Sequence, residues 1–280
     1  MIKVINLFDE FLNFYLENKS LDIFEVWERF YKDNHEKFYL KLIEDLKKDN
    51  INYIEIGRIN LKNFEDKIDI LKNISENILK VKDVIYKKGK EFLNFDLKII
   101  IYIGLGIFAG WATLFENSLT IIFDLVKIDE LNWGSYKKLS GLFSHELSHL
   151  IHMNLRKDCK EFEEEVEPVF LLYIEGFAQK FGENFVKGDI WYMFNDKELN
   201  WCKENINFLK EEYYNRVEIG ESINDFFGDW YNIKGKKMTG YFLGYRFIEF
   251  LEESFDIINI SKIEKENLND YFLKFITMRV

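Results

Sequence analysis

The spacing of apolar side chains changes character between residues 97 and 126, and that change constrains the fold more than any other feature of the chain. From Leu97 the run LKIIIYIGLG is β-branched and ends in glycines. NSLTIIFDLV follows from Asn117 after a Gly- and Trp-containing turn, and both runs predict strands. On either side the spacing is helical. Leu7, Phe8, Phe11, Leu12 and Tyr15, then Phe24, Trp27, Phe30 and Tyr31, recur at helical intervals, so residues 1–95 read as a helical region. Helical spacing resumes at Tyr136 through KKLSGLFSHELSHLIHMNL and breaks in RKDCKEFEEEVEP. It returns in VFLLYIEGFAQKFGENF, where Pro168 suits the first turn of a helix. Lys203 to Tyr214 and Met238 to Glu253 are helical again. Helices, a small mixed sheet and more helices define an α+β fold. With no repeat and no Ser/Gly-rich linker, a boundary near residue 95 is expected to join packed parts of one unit, 1–95 and 96–280.

Charge and cysteine usage narrow the function classes. Lys and Arg number 38 against 49 Asp and Glu, so the net charge of −11 repels nucleic acid phosphates and anionic lipid. A peptide or a small molecule is the expected partner. Cys159 and Cys202 are too few for a disulfide framework and wrongly spaced for a thiolate zinc site, so both are expected to be reduced. The opening MIKVINLFDEFLNFYLENKS carries Asp9 and Glu10 inside its apolar stretch, unlike a secretory signal, and no run is long enough to span a membrane. The expectation is a soluble, cytoplasmic protein.

HELSH at 145–149 fits the pattern His-Glu-x-x-His. Spacing of i, i+4 on a helix brings both imidazoles to one face about one turn apart, where two nitrogens share one ion. Glu146 between them projects beside the open metal position, where it takes a proton from water that zinc has acidified to a pKa of around 7. A five-residue pattern also arises by chance on ordinary helices. Against chance, three of the four histidines (His145, His149 and His152, but not His35) fall within eight residues, flanked by Leu142, Phe143, Leu147, Leu150 and Ile151. Such a helix is expected to be buried, where unpaired polar groups are costly.

A catalytic zinc takes a third protein ligand. His152 lies two turns, about 10 Å along the axis, from His145, so it is expected at the helix end or behind the ligands rather than on the ion. The metzincin pattern is excluded, because His152 and Leu155 stand where it requires Gly and His. The preferred third ligand is Glu175 in LLYIEGFAQ, on a second apolar helix that can fold back beside His149, with Glu167 in reserve. The competing account of Glu175 is a surface carboxylate that happens to precede Gly176. Glu163, Glu164 and Glu165 belong to a charge run and read as a solvated face.

At these residues the chain resembles the gluzincins, the thermolysin-like clan in which a downstream glutamate completes His-Glu-x-x-His, here as EGFA at 175–178. It resembles more specifically the bacterial family of predicted zinc-dependent proteases described as domain of unknown function 2268. The likeness runs through IYIGLGIFAGWATLFENSLTIIFDLVKIDELNW at 101–133, LSGLFSHELSHLIH at 139–152, YIEGFAQ at 173–179 and TGYFLGYRFIEFLEE at 239–253. It implies a zincin-like catalytic fold with His145, His149 and Glu175 on Zn2+ and Glu146 as general base. The amino-terminus motif of gluzincin aminopeptidases is not matched, since only FEN at 115–117 resembles a fragment of it.

In that clan a Tyr or His often faces the metal and donates to the oxyanion of peptide hydrolysis. Tyr241 and Tyr245 in GYFLGYR share a helical face, and either is a candidate. Equally, Gly240 and Gly244 permit close helix packing while the tyrosines fill core. Arg246 is expected to pair with Glu249 rather than to hold a substrate carboxylate. LTIIFDL at 119–125 is a candidate edge strand for an extended peptide. Gly104, Gly106 and Gly110 read as turn residues, without the strand-to-helix setting of a phosphate loop.

The function these features favour is a zinc metallopeptidase acting on peptide or unfolded protein. Two alternatives stand beside it, a catalytically silent binding module of the same fold and a zinc hydrolase of a non-peptide amide or ester. The intact Glu146 favours an enzyme, because a structural zinc site does not need the base.

Overall fold

A computed structural model describes residues 2–48, 51–157, 159, 162 and 166–278; Glu163, Glu164 and Glu165 lie outside the described residues. The protein is α+β, as the periodicity predicts. It divides into two compact units, residues 1–84 with 94–139, and residues 85–93 with 140–280. The sheet therefore clusters with the amino-terminal helices and not with the motif, which moves the division away from residue 95.

The reason is a strand the helical reading passed over. Ile2–Asn6 (β1) pairs in parallel with Leu97–Tyr102 (β2), which pairs in parallel with Ser118–Asp124 (β4), while Gly110–Phe115 (β3) runs antiparallel to β4. The order β1-β2-β4-β3 makes β1 and β3 the edges. LTIIFDL is accordingly interior, and the expectation of a substrate-binding edge at 119–125 is corrected. Every residue of β2 is buried, which is why it is a continuous apolar run rather than an alternating one. The turn expected between the two runs holds β3, and Gly110 opens that strand instead of lying in a loop. Two residues, Glu116 and Asn117, close the hairpin at φ of 50° and 61°, the left-handed pair that matches strand twist.

Helices Phe8–Glu17, Ile23–Asn34, Glu36–Lys48, Tyr53–Leu61 and most of Phe64–Gly89 complete this unit. Asp22 caps Ile23–Asn34 by accepting from the Phe24 and Glu25 amides. Trp27 Nε1 and Tyr31 Oη both donate to the Ile103 carbonyl, at 2.8 and 3.0 Å, which ties that helix to the end of β2. Asp124 closes β4 and caps Leu125–Glu130, accepting from Gly106, Val126 and Lys127 amides. A side chain at 104 would meet that carboxylate, so Gly104 is a close-approach residue.

In the second unit three helices hold the candidate residues: the motif helix Tyr136–Arg156, of which residues 140 onward belong here, the glutamate helix Pro168–Phe181, and the tyrosine helix Thr239–Glu252. Pro168 begins the glutamate helix at its first turn. The region expected to be helical from Lys203 holds two helices, Asp196–Glu204 and Ile206–Ile219. Leu147, Leu150, Phe177, Leu243 and Phe247 are fully buried, each worth roughly 1.5–3 kcal/mol of transfer from water. The glutamate and tyrosine helices cross backbone to backbone. A Cβ at Gly176 would lie 2.2 Å from the Gly244 carbonyl oxygen, so both positions are closed to any side chain. Gly240 instead faces the Phe227 ring.

Among the described residues, no helix is long and apolar enough to cross a membrane.

Candidate metal centre

The motif helix places His145 and His149 one turn apart with Nε2 atoms 3.0 Å from each other. The glutamate helix brings Glu175 Oε2 to 3.1 Å from the first and 3.3 Å from the second. Sequence reasoning named these three residues as one ligand set, and they form one cluster. A tetrahedral ion with bonds of about 2.05 Å separates its ligand atoms by about 3.3 Å. The triangle of 3.0, 3.1 and 3.3 Å is thus the size of one tetrahedral face.

Hydrogen bonds around the cluster orient His145 toward that face. His145 Nδ1 lies 3.2 Å from Gln179 Oε1, while the Gln179 amide nitrogen donates to the Ile190 carbonyl. That second bond fixes which end of the amide faces the imidazole, so His145 Nδ1 donates to it and Nε2 is the nitrogen turned to the cluster. Nε2 faces a carboxylate oxygen at 3.1 Å, a contact held by an Nε2 proton when the ring is an imidazolium and by a bound cation when the ring is neutral. Burial alone pushes the Glu175 carboxyl up, but the charge of His149 and hydrogen bonds with His145 and His149 outweigh it and hold the group well below the usual carboxylate range. Glu175 is ionised, as a ligand must be.

Glu146 is buried between the two histidines. Burial pushes the phenol of Tyr241 far above its ordinary range, and the charges of Glu175, Glu146 and Asp229 add to the rise. Tyr192 is raised in the same way by burial, then by Glu146, Tyr241 and Glu175. Both phenols lie within electrostatic range of both carboxylates and keep their protons at neutral pH.

The remaining candidates separate clearly. Tyr241 packs edge-on against His145 with ring centroids 5.6 Å apart. Tyr245, a turn further on, donates to Glu183 at 3.0 Å and accepts from Lys180 at 3.3 Å, so its hydroxyl is engaged away from the histidines. Arg246 pairs with Glu249. Glu167 is exposed at the start of the glutamate helix and does not join the cluster. His152 is buried within the motif helix rather than at its end, stacked on Phe177 at 4.0 Å, with Nε2 3.2 Å from the Ser261 carbonyl. It packs in the core and does not join the cluster.

Two residues escaped sequence reasoning. Gln179 stands four positions after Glu175, and a neutral amide on the inner face of an apolar helix is the signal that points to it. Tyr192 carries no spacing signal. It reaches the centre because Gly141 on the motif helix leaves room for its ring, 2.4 Å from where a Cβ would be.

No protein-family model, curated protein or solved structure matches the chain.

Proposed function

We propose that the protein is a zinc-dependent peptidase of gluzincin type, with His145, His149 and Glu175 holding the ion and Glu146 acting as general base. The observation that carries this reading is the ligand triangle, sized for one tetrahedral ion, with a buried carboxylate at the position next to His145. The sequence resemblance to zinc-dependent proteases points the same way, and a zincin-like fold follows from it as part of the proposal.

When bound, a zinc ion supplies Lewis acidity, acidifying water and polarising the scissile carbonyl. The protein's own groups do the rest. Glu146 takes a proton from the attacking water and delivers it to the departing amine. Tyr241, kept protonated by burial and by two neighbouring carboxylates, donates its hydroxyl hydrogen to the carbonyl oxygen as negative charge develops there. Gln179 holds the tautomer and ring orientation of His145. Basic or apolar peptide is the substrate class that the negative net charge and the aromatic richness suit.

Metal content of wild type and Glu175→Ala, measured with hydrolysis of an unbiased peptide library and Glu146→Gln as control, tests the reading. Stoichiometric zinc that is lost in Glu175→Ala, with cleavage lost in Glu146→Gln while zinc stays, is the expected result. A wild-type protein with no affinity for zinc overturns it.

A further inference from the structure

The second unit contains an open cleft of about 390 Å³ whose lining holds none of the residues of the candidate metal centre. Its walls are Trp191, Phe242 and Tyr245, with Trp191 set edge-on to Tyr245 at 4.8 Å and tilted against Phe242 at 5.8 Å. Because the Tyr245 hydroxyl is engaged by Lys180 and Glu183, that residue offers the cleft its ring and not its oxygen. Lys203, Arg246 and Glu249 supply the polar groups. Arg246 spends one N–H on Glu249, and a guanidinium carries five. The lining itself carries two cations, Lys203 and Arg246, and one carboxylate, Glu249.

We propose that this cleft binds a small molecule that combines an aromatic ring with a carboxylate. The ring fits among three aromatic walls, where offset and edge-on contacts are favourable. The carboxylate meets Arg246, which recognises that planar group through paired N–H donors, with Lys203 adding charge. The volume lies at the lower end of the range for small-molecule sites, about 300–1,000 Å³, and excludes a folded partner.

Chain neighbours of Trp191 also link the cleft to the candidate metal centre. Trp191 ends the short turn Asp189–Trp191; the carbonyl of the residue before it, Ile190, accepts from Gln179, and the residue after it, Tyr192, packs against the motif helix at Gly141. A ligand packed on Trp191 therefore bears on the group that orients His145. The ligand site stands on the cleft alone, whereas its coupling to the metal rests on the function proposed above.

Calorimetric titration of the full chain with 3-phenylpropionate, its neutral amide and phenethylamine tests the site. The acid is expected to bind at least about tenfold more tightly than the amide and to lose about tenfold in Arg246→Gln, the range for a charge-assisted pair, with the amine not binding. Trp191→Leu is expected to abolish binding; Arg246→Gln, on the rim, decides the matter if the Trp191 variant fails to fold. Equal binding of acid and amide, an unchanged affinity in Arg246→Gln, or no saturation by the acid at about 10 mM overturns the site. For the coupling, zinc affinity is measured by chelator competition with and without saturating acid. A shift of about threefold or more, matched by the same factor in acid affinity when zinc is bound, is expected. Identical zinc affinities overturn the coupling. Acid binding by a protein that takes up no zinc upholds the cleft and refutes the metal reading instead.

Discussion

Gln179 Oε1 accepts from His145 Nδ1 across 3.2 Å, on the opposite side of the imidazole from Glu175. The bond is made by a residue one helical turn beyond Glu175, so the glutamate helix supplies both a proposed ligand and the support for another. Replacing this amide by Leu leaves the ring free to rotate or to change tautomer. Gln179→Leu is expected to weaken zinc by about 10–100-fold with the three ligands intact. Competition with a chromogenic chelator measures this, and an unchanged affinity would show that the bond has no bearing on the metal.

Tyr241 and Tyr245 are equivalent by spacing but differ in position, since only the first packs on His145. Tyr241→Phe is expected to lower kcat by about 10²–10³ while KM and zinc affinity change little, the pattern for a donor used in the transition state. Tyr245→Phe leaves kcat within a few-fold and shows instead in stability, through the loss of its bonds to Lys180 and Glu183. Steady-state kinetics on both variants checks the contrast. Equal losses at the two positions would remove Tyr241 from its role.

The Gly176 and Gly244 contact sets how far the glutamate helix can approach its neighbour. A methyl group at 176 collides with backbone, which cannot swing aside as a flexible side chain does. Gly176→Ala is expected to cost about 1–3 kcal/mol or more and to displace the adjacent Glu175, so zinc affinity falls as well. Denaturant midpoints with and without metal measure the two effects. A variant of native stability would mean that the helices separate at little cost.

How much of this was legible in the sequence depends on the range of the contacts. The ligands were legible because helical periodicity sets His145 and His149 on one face, and a carboxylate on the next apolar helix completes the set. The sheet was legible only where strands are buried and β-branched, as in β2 and β4. β1 has five residues and a partner more than ninety positions away, so no local pattern announces it. β3 is GWATLF, without alternation, and its turn is Glu-Asn rather than the stronger Asn-Gly. Missing those two strands also misplaced the division at residue 95 and made an interior strand look like an edge. Tyr192 and the Gly176 crossing with Gly244 are tertiary facts, invisible to spacing.

His152 provides a pH dependence separate from the metal ligands. Burial holds its imidazole well below the ordinary histidine range, with the charges of Arg156 and His149 adding to the effect and the Ser261 carbonyl opposing it. Its Nδ1 is buried without a hydrogen-bond partner among the described residues. The folded protein therefore keeps His152 neutral, while the unfolded chain takes up a proton as the pH falls below about 6.5. In that window the unfolded state binds more protons, so stability is lost on acidification, by at most about 1.4 kcal/mol per pH unit, and is flat above it. His152→Gln retains an N–H donor for Ser261 and cannot titrate. Urea denaturation of metal-free wild type and variant between pH 5 and 8 is expected to show the stability difference between them shifting in favour of the variant below about pH 6.5. Parallel pH curves for the two proteins would mean that His152 becomes charged in the fold at no cost, and that its burial does not hold the proton off.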